Sequence, residues 1–306
     1  MPTIDILGVP HTYELIAQSP VSSNPVLVFI HGWLLSRHYW QPLIEPLSLN
    51  YRCLIYDLRG FGDSQSVAPQ GKQAINQPEE LFNAHHECDE NNCYSSYTLA
   101  AYANDLKILL QKLEIEQAWV IGHSLGGSIA IRGADGCSER IRGVICLNSG
   151  GGIYLKEEFE RFRNLGQQLI KQRPRWLPNV PLIDWIFARM MVARPLEPHW
   201  GKQRVIDFVK ADGKAALGSL LESTTEAEVH LLPQVVSRLK QPLYFLAGSQ
   251  DRVMESKYVR HLASFHPSFD LNGNNVIEIP NCGHLSMLEQ PEIVVDKIIE
   301  ILLNHS

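Results

Sequence analysis

Three widely separated side chains supply the parts of an activated hydroxyl. Ser124 lies in Gly122-His123-Ser124-Leu125-Gly126, Asp251 in Gly248-Ser249-Gln250-Asp251-Arg252, and His284 in Asn281-Cys282-Gly283-His284-Leu285. A serine hydroxyl is a weak nucleophile at neutral pH; it needs a base to accept its proton and a carboxylate to orient that base. The expected division is Ser124 as nucleophile, His284 as base and Asp251 as the group that orients the imidazole. Each has a plainer reading when taken alone. A histidine near a C-terminal helix commonly caps it or sits on the surface, an aspartate can cap the helix that follows, and a serine can occupy an ordinary strand-helix connection. Asp57 and Asp63 are competing carboxylates that precede Ser124 in the chain and are assigned to the loop after their own strand. Asn148 is set aside because it cannot ionise.

Ser124 follows the apolar run Trp119 to Ile121 and precedes the helix-compatible stretch Ser128 to Arg132, so strand, tight turn and helix are written in order. Such a turn holds the serine backbone in a strained conformation and pushes its hydroxyl clear of both elements. Gly122 and Gly126 suit it because a side chain at either position would collide with the opposing backbone. Acyl transfer also needs two donors aimed at the oxyanion. One is the backbone N–H of Leu125, where the helix dipole adds to the effect. The other is the N–H of Trp33, in the loop after Val26 to Ile30. His31 is expected to brace that loop rather than react.

The elements that must position these residues follow from the apolar pattern. Val26 to Ile30 and Cys53 to Tyr56 are continuous apolar runs, as in strands buried on both faces. Gly143 to Leu147, Pro242 to Ala247 and Asn275 to Ile279 read likewise, and residues 3 to 18 read as a hairpin at a sheet edge. Trp40, Leu43, Ile44 and Leu47 recur at helical spacing, as do Tyr102, Leu106, Leu109 and Leu113, with Thr98 placed to cap the second helix. A last helix opens at Pro291. Alternating strands and helices predict an α/β fold, a mainly parallel β-sheet with helices on both faces and right-handed crossovers. Ser124, Asp251 and His284 then all fall just past strand ends, where ligands of such sheets bind.

As a set, His31-Gly32-Trp33, Asp57-x-Arg59-Gly60-x-Gly62-x-Ser64, Gly122 to Gly127, Asp251 and Gly283-His284 resemble the α/β-hydrolase fold superfamily. The match spans residues 26–64, 98–148 and 240–303. A serine at the turn resembles the esterase, thioesterase and carbon-carbon hydrolase branches. The resemblance implies no metal and no organic cofactor.

On this reading residues 1–149 and 239–306 form the core, residues 150–238 an inserted helical cap and residues 65–97 a polar insertion loop. The cap carries helical patterns at Phe159/Phe162/Leu165/Leu169, Trp185 to Met191 and Val205 to Val209, and it is entered through Gly150-Gly151-Gly152, a turn or a hinge. The insertion holds His85, His86, Cys88 and Cys93, whose spacing matches no zinc pattern; a solvated loop is expected, with a Cys88–Cys93 disulfide open only under oxidising conditions. Cys282 offers a thiol whose alkylation could disturb the neighbouring base.

With 306 residues, 45% hydrophobic and 20% charged, the chain has the composition of a soluble globular protein. A formal charge of -6 without a basic cluster argues against nucleic acid or an anionic membrane as partner. The first residues lack a signal-peptide pattern, no apolar stretch is long enough for a transmembrane segment, and the cysteines form no framework, so a cytoplasmic protein is expected. The oligomeric state stays open.

Substrate choice should lie with the cap, rich in Trp176, Trp185, Phe187, Met190, Met191, Trp200 and Phe208, some of which must pack against the core. The remainder would line an apolar pocket. A small hydrophobic ester is the expected substrate; Arg189 and Arg194 are too weakly marked to be named as ligands for a carboxylate. Two other readings use the same chain: a cofactor-independent carbon-carbon hydrolase or lyase, and a non-catalytic small-molecule receptor.

Overall fold

All five residues of β3 (Val26–Ile30) are buried, and alternation divides them between two cores. Leu27 and Phe29 enter one, Val26, Val28 and Ile30 the other. A strand with two apolar faces belongs inside a sheet covered on both sides, and β3 lies parallel between β4 (Cys53–Tyr56) and β5 (Ala118–His123). The computed structural model describes residues 1–18, 24–65, 97–151, 156–269 and 275–305, with side chains from residue 160 in the fourth span.

Beyond β5 the parallel arrangement continues through β6 (Ile141–Leu147), β7 (Leu243–Gly248) and β8 (Val276–Ile279). At the other edge β1 (Thr3–Ile6) and β2 (Val9–Ile16) form the expected hairpin, turned at Leu7-Gly8 where both residues have positive φ. β2 pairs antiparallel with β4, giving the eight-stranded order β1-β2-β4-β3-β5-β6-β7-β8. The fold is thus the α/β-hydrolase arrangement, mainly parallel with one antiparallel edge.

Helices α1 (Gln41–Leu47) and α10 (Pro291–Leu303) cover one face through Leu43, Leu47, Val294 and Ile298. The other face carries α2 (Leu99–Lys112), α3 (Leu125–Gly136), α8 (Glu226–Arg238) and α9 (Ser256–Ala263). Thr98 caps α2, its hydroxyl accepting from Ala101 N–H at 3.1 Å, which satisfies one of the donors that a helix start leaves open.

Between β6 and β7 the described chain is helical: α4 (Lys156–Lys171), α5 (Ile183–Phe187), α6 (Pro198–Lys210), α7 (Gly213–Ser223) and then α8. α4 packs on α7 and α5 on α6, whereas α8 packs on α3 and α9 as part of the layer over the sheet. The pattern Trp185 to Met191 is not one helix. α5 stops at Phe187, Met191 takes φ 62°, and the chain reverses so that Leu196 N–H donates to Ala188 O at 2.9 Å. No helix among the described residues is long and apolar enough to cross a membrane. The insertion with His85, His86, Cys88 and Cys93 lies outside the described residues, as does Gly152 of the glycine run.

Candidate active site

β5 ends at His123, and the next residue is forced into the left-handed half of backbone space: Ser124 has φ 52° and ψ -116°. A non-glycine residue persists there only when its surroundings fix it. Ser124 N–H donates to Leu147 O and Gly127 N–H to Ser124 O, both at 3.0 Å. The glycines follow from the same close approach. A Cβ on Gly122 would lie 2.2 Å from Gly126 O, and one on Gly126 2.2 Å from Ile30 O.

Chain segments after β5, β7 and β8 converge on one hydrogen-bonded line. His284 Nε2 lies 3.2 Å from Ser124 Oγ, and its Nδ1 lies 2.8 Å from Asp251 Oδ2. A carboxylate facing Nδ1 makes that nitrogen the donor and leaves Nε2 free to accept from the serine hydroxyl. Asp251 Oδ1 accepts from Val253 N–H at 2.8 Å and Met254 N–H at 2.9 Å. Burial pushes the Asp251 carboxyl up, but the His284 ring, its hydrogen bond and those two N–H groups hold it below its ordinary value. The geometry can take a proton from a hydroxyl and return it to a leaving group.

The residues around this line were less visible in sequence. Asn148, set aside as non-ionisable, donates from Nδ2 to Asp251 Oδ2 at 3.0 Å and to Gly283 O at 2.9 Å. His123 Nε2 donates to His284 O at 2.7 Å, and the two rings stand 4.9 Å apart. Burial, with His284 beside it, pushes the His123 imidazole down to about 3, which leaves it neutral at pH 7. Glu289 binds the loop of His284 from below, accepting from Gly283 N–H at 3.0 Å and Leu285 N–H at 3.2 Å, and it also accepts from Ala193 and Arg194 N–H at 2.7 and 3.2 Å. His284 N–H donates to Met191 O at 2.9 Å.

The two expected oxyanion donors belong to residues on the same cavity wall. Leu125 opens α3, and its N–H is among those that a helix leaves unpaired. Trp33 is anchored by its indole, Nε1 donating to Ala216 O at 2.8 Å. His31 braces this loop: Leu58 N–H donates to its Nε2 at 3.0 Å and its Nδ1 faces Gly32 O at 2.8 Å, while burial lowers its basicity. Asp57 accepts from the backbone N–H of Arg37 at 2.6 Å and of Asp63 at 2.8 Å, which is the loop role expected for it.

Ser124 and His284 open into a cavity of about 570 Å³ under the helices between β6 and β7. Phe187, Met190, Met191 and Phe208 line it as the aromatic content suggested, together with Phe162, Leu165 and Leu169 of α4. Trp176 and Trp185 are instead exposed, and Trp200 packs on Tyr39 with ring centroids 5.8 Å apart. Gly150 is closely packed, since a Cβ there would lie 2.7 Å from Met254 Sδ. Cys282, whose alkylation was expected to disturb the base, is fully buried and burial pushes its thiol up, which disfavours its reaction in the folded protein. Among the described residues no cluster of three or more His, Cys, Asp or Glu side chains is arranged to hold a metal ion.

The sequence profile of the alpha/beta hydrolase fold matches residues 25–291. The 2-succinyl-6-hydroxy-2,4-cyclohexadiene-1-carboxylate synthase of Yersinia pseudotuberculosis serotype O:1b is 30% identical over 236 residues, 75% of this chain and 73% of the synthase. Among solved structures, a thermophilic esterase from Thermogutta terrifontis superposes with a TM-score of 0.71 at 21% identity, covering 99% of this chain and 96% of the esterase. The enol-lactonase from Burkholderia xenovorans LB400 superposes with a TM-score of 0.70 at 20% identity, covering 99% of this chain and 100% of the lactonase. At these identities the two structures establish likeness of fold.

Proposed function

The chain belongs to the alpha/beta hydrolase fold family, and from that premise we propose that it is a serine hydrolase cleaving a carboxylic ester through an acyl-enzyme. The observation that carries this reading is the unbroken line from Ser124 Oγ through both nitrogens of His284 to Asp251 Oδ2. Ser124 Oγ attacks the ester carbonyl while its proton passes to His284 Nε2. The N–H groups of Leu125 and Trp33 hold the oxyanion. The imidazolium, steadied by Asp251, protonates the departing alkoxide. Water, deprotonated by His284, then attacks the acyl-enzyme, and the acid leaves with Ser124 restored.

Residues 150–238 serve on this reading as a cap whose apolar wall over the cavity receives a substrate of moderate size; the core is residues 1–149 and 239–306. We place the protein in the cytoplasm, a location supported by four free, buried cysteines among the described residues, Cys53, Cys137, Cys146 and Cys282.

A second reading is favoured by the 30% identity to a synthase rather than a hydrolase. In it His284 Nε2 takes the Ser124 proton, the Ser124 alkoxide removes a proton from a substrate carbon, and the imidazolium protonates the group that departs as the carbon-carbon double bond forms. Hydrolysis of a p-nitrophenyl ester series by wild type and Ser124→Ala tests the first. Serine-dependent turnover supports it; no turnover of any ester by folded protein gives the second reading precedence.

A further inference from the structure

Arg204, on α6, is 7% exposed and lines the same cavity as Ser124 and His284. Its Nη1 donates to the carbonyls of Phe187 and Met190, the latter at 2.7 Å, and its Nη2 lies 3.8 Å from Met191 Sδ. Those two carbonyls fix the plane of the guanidinium and neutralise none of its charge. No carboxylate among the described residues pairs with it. Asp207, one turn further along α6, accepts from Ser36 Oγ at 2.8 Å and from Gln203 Nε2 at 3.0 and 3.1 Å. Glu289, whose charge also reaches Arg204, is committed to the backbone N–H groups of the His284 loop and of Ala193 and Arg194.

A buried guanidinium whose direct partners are two carbonyls and a thioether, with Glu289 acting on it only at longer range, is unfavourable for the protein alone. A peptide end such as that of α5 can be tied down by neutral donors, so a tying role does not require a charge. The edge that the two carbonyls leave over carries Nε and Nη2, the latter held only by the weakly accepting Met191 thioether, and a carboxylate meets such an edge in the two-bond geometry peculiar to arginine. The other arginine on the cavity wall, Arg252, is exposed.

We propose that Arg204 binds a carboxylate on the substrate. The ligand class is an ester with an apolar body, held by the cap side chains, and a free carboxylate on its acyl or its alcohol part. This replaces a purely hydrophobic ester as the expected substrate, and it rests on the reading of Ser124 as the nucleophile of an ester hydrolase.

Two matched pairs test it. Mono-p-nitrophenyl suberate against p-nitrophenyl octanoate places the carboxylate in the acyl part; 4-carboxyphenyl octanoate against 4-carbamoylphenyl octanoate places it in the leaving group. Wild type is expected to favour the carboxylate member of one pair by on the order of 10- to 100-fold in kcat/KM, the range of a charge-assisted hydrogen bond pair. Arg204→Gln should collapse that ratio, and Arg204→Lys, which keeps the charge without the fork, should retain part of it. Wild type with no preference in either pair, or an Arg204→Gln variant in which both members fall together, overturns the proposal. If wild type hydrolyses no ester, the ester reading fails by itself, and calorimetry with suberate then reads the site directly. Binding weakened at least tenfold by Arg204→Gln sustains it; no binding to wild type, or equal binding to both, ends it.

Discussion

Asn148 Nδ2 stands 3.0 Å from Asp251 Oδ2, the same oxygen that faces His284 Nδ1 at 2.8 Å. Its second bond, to Gly283 O, makes one buried amide the tie between the ends of β6, β7 and β8. The residue takes φ 50°, a conformation that asparagine tolerates better than most. An amide donor here leaves Asp251 the full negative charge and turns its carboxylate plane toward the imidazole.

Asn148→Ala should therefore lower kcat/KM roughly tenfold through lost orientation of Asp251, since a broken buried hydrogen bond is worth about 1–3 kcal/mol. Asn148→Asp should be worse at neutral pH, because two adjacent carboxylates resist joint ionisation. Steady-state kinetics from pH 5 to 9 check both. Equal activity of Asn148→Asp and wild type across that range would remove the orienting role.

Asp251→Asn keeps the shape of the site but presents an amide to His284 Nδ1 and favours the wrong tautomer. The expected loss in kcat is about 10³- to 10⁴-fold with the secondary structure intact. Circular dichroism and ester turnover on the same preparation separate this from misfolding.

Gly126→Ala places a methyl group 2.2 Å from Ile30 O, where the neighbour is backbone and has little room to give. The expected destabilisation is about 1–3 kcal/mol, seen as a lower denaturation midpoint in urea. Gly136→Ala is the control, because a Cβ there meets nothing within 4 Å.

Stability should depend on pH through His123 and Asp207 in opposite senses. His123 is held at about 3 by burial against an ordinary 6.5, so the unfolded chain takes up its proton first and stability falls as pH drops from 6.5 toward 3. The slope is at most about 1.4 kcal/mol per pH unit. Asp207 is raised by burial to about 6, so its contribution is present below 3.8 and lost as pH rises through 6, which offsets part of the first effect. Urea midpoints from pH 4 to 8 should show a flatter acid limb for His123→Gln and a steeper one for Asp207→Asn. An unchanged limb in both would exclude these two groups as its source.

Cys53, Cys146 and Cys282 are fully buried with thiols pushed up by burial, Cys53 to about 12. Maleimide treatment of the native protein should leave all three unmodified in a peptide map and ester turnover unchanged; labelling at Cys282 without denaturant would show that the His284 loop opens.

The line through Ser124, His284 and Asp251 was legible in sequence because each residue carries a local signature: an apolar run, a glycine where backbones meet, and the chain order. The sheet was legible for the same reason, since β3 to β8 are short apolar runs of strand length. Arg204, Asn148 and Glu289 had no such signature. Their roles depend on partners distant in the chain, such as Met190 O for Arg204, Gly283 O for Asn148 and Ala193 N–H for Glu289, and no spacing rule connects residues that meet only after the chain has folded. Leu165 and Leu169 carry the helical spacing seen in sequence, but spacing marks only an apolar face and does not say what that face meets; here it lines the cavity.

Glu289 receives N–H groups from both sides of a seam, Gly283 and Leu285 on the loop of His284 and Ala193 and Arg194 on the segment between β6 and β7. Met191 O closes the same seam by accepting from His284 N–H. A chimera that exchanges the chain between β6 and β7 for that of a relative must therefore keep a backbone at 191–194 that presents the same N–H groups to Glu289 and the same carbonyl to His284. A graft without them would inherit a new pocket and lose the register of its base.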